Sequence, residues 1–345
     1  MLTGAAGFAG HHFLEHVLTV TNWDVVATGS FRHRGTCDRI EQVLNGHRTW
    51  RSRVTVLTHD LTAPFSMREQ AVISGGHGLD YLVAMASMSH VDTSISDPVR
   101  FCENNVAVIL NTLELARQLR PAAVVVISTD EVYGPVQPGQ AHAEWAPALP
   151  SNPYSASKAA QEAVAISYWR TYGIPVIITN TMNLFGERAH PEKYVPKVLR
   201  AVLSGDEVPV HAGAAGDIGS RHWLHARNMA DAVIWLLRMT TPAMFPVHAG
   251  RQENAAVADR PDRYNIAGPD RIDNLALAQM IAAAAGKPLR WRFESFHLSR
   301  PGHDPHYGLD PGKLTAAGWN PPVPFAESLE RTVQWSLKHP EWLDL

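Results

Sequence analysis

The chain has 345 residues, of which 45% are hydrophobic and 18% charged, with a formal net charge of -3 and an isoelectric point near 6.6. A chain of this size buries a substantial core in one large or two intimately joined domains, and its charge excludes the basic field that would make nucleic acid its main partner. Two cysteines, Cys37 and Cys102, lack the spacing of a disulfide scaffold or zinc site. The eighteen histidines are scattered, and neither His11-His12 nor the HDPH run at 303–306 has a convincing third and fourth ligand, so no metal is expected. No apolar stretch approaches the ~20 residues that span a bilayer, and no basic-then-hydrophobic signal segment opens the chain. A soluble protein of the reducing cytoplasm, working on a small molecule and not on a membrane, is the expectation.

The chain opens MLTGAAGFAGHHFLEHVL, with Gly4, Gly7 and Gly10 spaced three apart ahead of an amphipathic helix. Glycines let the backbone turn tightly and approach a pyrophosphate, while the helix's first amides and its dipole hold the negative charge. Met1 and Leu2 leave almost no strand before this loop, so residues upstream are expected to be missing. WDVVATG, RVTVLTHDL, LDYLVAMAS and AAVVVISTD then read as strands alternating with helices, which implies a parallel sheet. At the second strand's end Gly29 takes the place of an acid that would hold the adenosine ribose of NAD. Arg32 or Arg34 stands where a 2′-phosphate would be met, which leans towards NADP, unless both are ordinary surface arginines. Asp60, after the third strand, is placed to contact adenine.

Val106, Ile109, Leu110, Leu113 and Ala116 fall at helical spacing, and Pro121 marks that helix's end. STDEVYG follows at 128–134, and its adjacent acids, Asp130 and Glu131, close a buried strand. Burying carboxylates is costly unless something uses them. On a regular strand they would point to opposite faces, so the strand end must twist or bend for both to serve one site. Tyr154 and Lys158, in PYSASKAAQEAV, share one face of a helix, and a nearby ammonium is expected to lower the phenol's pKa and make it a base. After about residue 179 the alternation decays, NLFGERAHPEKYVPKVL reads as a loop entering a helix, and the polar segment at 247–263 reads as an exposed loop.

TGAAGFAG, MASMSHVDTSISDPVRFCENNV, VISTDEVYG, NPYSASKAAQE, NLFGERAHPEKYVPKVL, SRHWLHARNMADAV and RPGHDPHYGLD occur in the order of the motifs of extended short-chain dehydrogenase/reductase enzymes. Across nearly its whole length the chain resembles the dTDP-glucose 4,6-dehydratases among them. The resemblance implies an α/β fold: a Rossmann-type doubly wound parallel sheet over residues 1–179, with a later contribution from about 220–246, and a smaller, discontinuous C-terminal substrate-binding domain mainly over 180–345. It also implies a homodimer packed through helices at roughly 104–119 and 154–171.

By resemblance, NAD or NADP is bound by Gly4, Gly7, Phe8, Gly10, Arg32, Asp60, Leu61, Tyr154 and Lys158, NAD being favoured by the family and NADP by Gly29 and Arg32. The implied reaction oxidises C4 of a nucleotide-linked hexose, eliminates water across C5 and C6, and returns the hydride to C6. Tyr154, Thr129 and Lys158 would serve the oxidation, Glu131 would remove the C5 proton, and protonated Asp130 would deliver a proton to the departing 6-hydroxyl. Ser89, His90, Asn183, Glu192, Lys193, Arg221, Asn265, Arg300 and His303 fall on substrate-binding positions. Thr93, His222 and His225 depart from the family pattern, as Gly29 does. A 4-epimerase or decarboxylase of the same superfamily, or a non-catalytic NAD(P)-sensing regulator, would share the glycine loop without needing both acids.

Overall fold

A computed structural model of the chain describes residues 1–32, 35–137, 139–213, 217–240, 259–295 and 306–344. The short β-branched runs form β1 (Leu2–Thr3), β2 (Val25–Gly29), β3 (Val54–Thr58), β4 (Tyr81–Ala84), β5 (Ala123–Thr129), β6 (Val176–Thr181) and β7 (Asp262–Ile266). They make one seven-stranded sheet in the order β7-β6-β5-β4-β1-β2-β3, with every pairing parallel. This is the doubly wound Rossmann-type arrangement, in which the order reverses beside the first strand and ligands bind at the strands' carboxyl ends. All four strands expected from the sequence are present as β2 to β5. Every residue of β5 is buried, as a central parallel strand covered on both faces requires.

Helices cover both faces. On one, Leu14 and Val17 of α1 (Phe8–Val20) join Val233 and Leu236 of α4 (Ala226–Met239) in a single apolar cluster with the sheet. On the other, Leu113 and Ala116 of α2 (Pro98–Leu119) pack with Ala165 and Trp169 of α3 (Pro153–Tyr172). Pro98 opens α2, where a missing amide costs nothing, and the left-handed Arg120 followed by Pro121 ends it. A separate apolar cluster of Phe185, Val198, Leu199, Val208, Leu277, Ile281 and Val333 builds the smaller part around the helices Tyr194–Ser204, Asn274–Ala284 and Phe325–Lys338. Among the described residues no helix is long and apolar enough to cross a membrane.

One segment differs from the sequence reading. The stretch at 247–263 was expected to be an exposed loop, and 247–258 lies outside the described residues, but Asp262 and Arg263 begin β7. Arg263, Tyr264, Asn265 and Ile266 are all buried against β6. The alternation of polar and apolar residues in DRYNI conceals a strand whose polar side chains are paired inside the protein.

Candidate active site

The bend that the two acids require is present. After Thr129 the strand gives way to a 3₁₀ turn, Asp130–Tyr133, whose tighter winding replaces the strict alternation of a strand. Gly134 closes it with φ +78, and a Cβ there would lie 2.3 Å from the Leu149 carbonyl oxygen, so only glycine fits. The Thr129 hydroxyl organises the turn by donating to Asp130 Oδ1 at 2.9 Å and accepting from the Glu131 amide at 3.3 Å.

The two carboxyls have different environments. Asp130 is buried, and its Oδ2 has no hydrogen-bond partner among the described residues. Burial, and then the neighbouring Glu131, push its carboxyl up to about 7, which makes it a proton carrier at neutral pH. Glu131 is partly exposed, and its Oε2 accepts from Asn152 Nδ2 at 3.1 Å and from the Tyr307 hydroxyl at 3.5 Å. Neither donor was identified from the sequence. Asn152 had a signal, an asparagine before the helix-opening Pro153. Tyr307 lies within the RPGHDPHYGLD block, but nothing in that block ties it to Glu131, 176 residues away.

Asn152 also starts α3: its side chain accepts from the Ser155 amide while Ser155 Oγ accepts from the Asn152 amide. The cap that positions Tyr154 on the first turn therefore also holds Glu131. Lys158, one turn on, is buried and donates to the Ile127 carbonyl at 2.7 Å and to Gln161 Oε1 at 2.6 Å. The expectation that this ammonium lowers the phenol's pKa is not met. Burial, followed by the charges of Glu131 and Asp130, raises Tyr154 above its ordinary value despite a hydrogen bond with Thr129, and the phenol is held protonated. Burial also lowers Lys158 to about 8, against the pull of Glu162.

The glycine loop has the shape of a phosphate cradle. Gly4 adopts φ +70, and a Cβ at Gly10 would come within 2.0 Å of the Gly4 carbonyl oxygen. Gly7 caps α1 without any side-chain bond to its first amides, and no acid stands in the first turn, so Phe8 and its neighbours present a helix N-terminus suited to a pyrophosphate. At the adenosine end, Arg32 pairs with Asp60, whose Oδ1 also accepts from Thr62. Burial opposes ionisation of Asp60, but the hydrogen bonds from Thr62 and Arg32 outweigh it and hold the carboxyl below its usual range. Leu61 is buried, and its carbonyl accepts from Asn111. Arg34 lies outside the described residues.

Of the substrate-side positions, Ser89 is exposed and His90 caps the helix Val91–Ser96 by accepting from the Thr93 amide. Asn183 is half-buried, Glu192 is exposed, and Lys193 caps the next helix. Arg221 lies over the Tyr307 ring at 4.5 Å, which ties it to the Glu131 side of the site. Asn265 is placed differently: it is fully buried, and its Nδ2 donates to the carbonyls of His142 and Asp310, so its amide joins loops to the sheet. Arg300 and His303 lie outside the described residues.

His12, Glu187 and His225 gather their ligand-type atoms within 4.8 Å of one another. Gly186 makes the space, since a Cβ there would lie 2.8 Å from His12 Nε2. Their hydrogen bonds assign the protons. His225 Nδ1 accepts from the Arg227 amide, so its proton sits on Nε2 and is donated to Glu187 Oε2 at 3.0 Å. His12 Nε2 faces the Glu187 carbonyl at 3.0 Å, and burial lowers its imidazole to about 3. The cluster bolts α1 to the start of α4 with neutral imidazoles and one carboxylate. Metal coordination through His225 Nε2 would require breaking the cap of α4.

The sequence profile of the family described as GDP-mannose 4,6 dehydratase matches residues 1–332. Low-salt glycan biosynthesis protein Agl12 of Haloferax volcanii is 31% identical over 341 residues, covering 98% of each chain. A dTDP-glucose 4,6-dehydratase of Streptomyces niveus is 30% identical over 348 residues, covering 99% of this chain and 94% of the relative. A double mutant of DesIV, a dTDP-glucose 4,6-dehydratase of Streptomyces venezuelae with NAD bound, superimposes with a TM-score of 0.81 at 28% identity over 99% of this chain and 98% of its own. The UDP-glucose 4-epimerase of Thermus thermophilus, also with NAD, reaches 0.78 at 26% identity over 96% of this chain and 97% of its own. With the parallel sheet, the glycine cradle and the Tyr154-Lys158 helix already in place, the profile match leaves one assignment: this chain belongs to the GDP-mannose 4,6 dehydratase family and is an enzyme of the short-chain dehydrogenase/reductase type.

Proposed function

We propose that the chain is a nucleotide-sugar 4,6-dehydratase, with dTDP-glucose as substrate and NAD as cofactor, the pair that its relatives' names favour. The 3₁₀ turn carries this reading, because it sets a protonatable Asp130 and an accepting Glu131 side by side next to Tyr154. A bound nicotinamide would accept hydride from C4 and later deliver it to C6, and its cationic ring would favour the phenolate. Tyr154 takes the 4-hydroxyl proton, with Thr129 hydrogen-bonded to it and Lys158 supplying positive charge one turn along α3. Glu131 removes the C5 proton, made acidic by the 4-keto group, and Asp130 gives its own proton to the 6-hydroxyl, which leaves as water. Ser89, His90, Asn183, Glu192, Lys193 and Arg221 are proposed to hold the sugar nucleotide. An epimerase would need Tyr154 and Lys158 but has no task for a second acid.

A panel of nucleotide-linked glucoses and mannoses, read as 4-keto product absorbance in alkali, tests this. Turnover of at least one member, without net consumption of added cofactor, is expected. Release of a C4 epimer instead would transfer the chain to the epimerases, and silence across the panel would favour a regulator.

The Arg32–Asp60 pair supports NAD over NADP, since a 2′-phosphate at Arg32 would meet the negative charge of the carboxylate already beside the guanidinium. Asp60→Asn should release Arg32 and raise affinity for NADP relative to NAD by about tenfold, the scale of one charge-assisted hydrogen bond. Calorimetric titration of both dinucleotides checks it, and an unchanged ratio would make Arg32 an ordinary surface residue. A homodimer through α2 and α3 is also proposed. Val99, Leu110 and Tyr172 are exposed apolar groups on these helices, and sedimentation showing only monomer at micromolar concentration would count against it. The free cysteines Cys37 and Cys102 accord with a cytoplasmic setting.

A further inference from the structure

We propose that Arg263, anchored on Glu162, is a positioning residue for the elimination step, because this one buried ion pair holds both ends of the turn that carries Asp130 and Glu131. The proposal rests on the dehydratase reading and concerns how that site is kept in shape. Arg263 Nη2 donates to Glu162 Oε2 at 2.6 Å, and each side chain is 5% exposed. A buried pair of this kind adds little net stability compared with apolar groups of the same volume, but its fixed donor directions define geometry.

From the carboxylate, the path leads to the start of the turn. Asn180 Nδ2 donates to Glu162 Oε1 at 2.8 Å and to the Thr129 carbonyl at 3.0 Å. From the guanidinium, it leads to the end. Arg263 Nη1 donates to the Tyr133 hydroxyl at 3.3 Å and to the Glu144 carbonyl at 3.2 Å. The same hydroxyl donates to the Glu144 carbonyl at 2.7 Å, and the Trp145 ring covers the guanidinium at 4.1 Å. The three residues between these anchors, Asp130, Glu131 and Val132, include both acids. A shift at the Tyr133 end moves Glu131 relative to C5 and Asp130 relative to the 6-hydroxyl, while Thr129 keeps its tie through Asn180 and Tyr154 its own cap on α3.

The test uses two variants that leave Glu162 paired. Arg263→Lys retains the charge but replaces a planar fork with a single ammonium that cannot serve Glu162 and Tyr133 together. Tyr133→Phe keeps the ring and removes the hydroxyl, which is both the acceptor for Arg263 and a donor to the Glu144 carbonyl. With a nucleotide hexose that the wild type converts, two quantities are followed: 4-keto-hexose trapped at C4 by borodeuteride, which reports oxidation, and formation of the 4-keto-6-deoxy product. Both variants should melt cooperatively and oxidise C4 as the wild type does. Product formation should fall about 10- to 10²-fold in kcat with KM unchanged, the scale of a misplacement near 1 Å. Combining the two should cost little beyond either alone, since both cut the same link.

Wild-type product formation in both variants would overturn the proposal, and so would oxidation and elimination falling in parallel, which marks a general structural role. Should Arg263→Lys fail to fold, Tyr133→Phe decides alone by the same split. Failure of the wild type to convert any nucleotide hexose would strike the dehydratase reading itself, and is seen before any variant is made.

Discussion

Glu131→Gln will leave a folded enzyme that oxidises C4 of its substrate and then stops. In the proposed mechanism oxidation draws on Tyr154 and Lys158, which α3 positions through its own cap, whereas removal of the C5 proton would fall to the carboxylate at position 131. A glutamine keeps the shape and the contact with Asn152 but accepts no proton. Loss of one general base is expected to slow elimination ~10²- to 10⁴-fold. The 4-keto-hexose should therefore accumulate and be trapped by borodeuteride. In deuterated water the wild-type product should carry one solvent deuterium at C5 and the unlabelled C4 hydrogen at C6, because the base exchanges with solvent and the cofactor does not. Near-wild-type dehydration by Glu131→Gln would show that the C5 proton goes elsewhere.

Asp130→Asn should slow departure of the 6-hydroxyl by a similar ~10²- to 10⁴-fold factor while sparing C4 oxidation. Its dependence on pH separates the two acids. With the Asp130 carboxyl raised to about 7 by burial and Glu131, wild-type elimination should decline as pH rises through about 7, where the proton to be donated is lost. Asparagine has no proton of this kind to lose, so that decline should vanish. Stability should follow the same group. The folded pKa lies above the ordinary carboxyl value, so the folded state binds more protons between them, and this contribution is full below the unfolded pKa and lost as pH rises through about 7. Thermal unfolding of Asp130→Asn should therefore gain on the wild type as pH increases from about 4 to 7. A pH-independent difference would mean that Asp130 is not the titrating group.

Sequence alone determined the local elements and the chemistry they bear. A parallel strand buried on both faces must be a run such as VVVIS, a phosphate cradle must have glycines where Gly4 and Gly10 nearly touch, and Tyr154 and Lys158 must share a face once their helix forms. These follow from short-range sterics and periodicity, which any window of the chain displays. The need for a bend at Asp130 was also legible, because adjacent strand residues cannot otherwise serve one site. Its form and its support were not. Asn152, Tyr307, Arg263 and Glu162 reach the turn from segments far apart in the chain, and only folding brings them together. The same holds for β7, whose DRYNI pattern reads as polar until Arg263 finds Glu162 and Asn265 finds its carbonyls. The state of the Tyr154 phenol is decided there too: sequence places an ammonium four residues away, but burial and two neighbouring carboxyls set the proton's affinity, and those are properties of the assembled site.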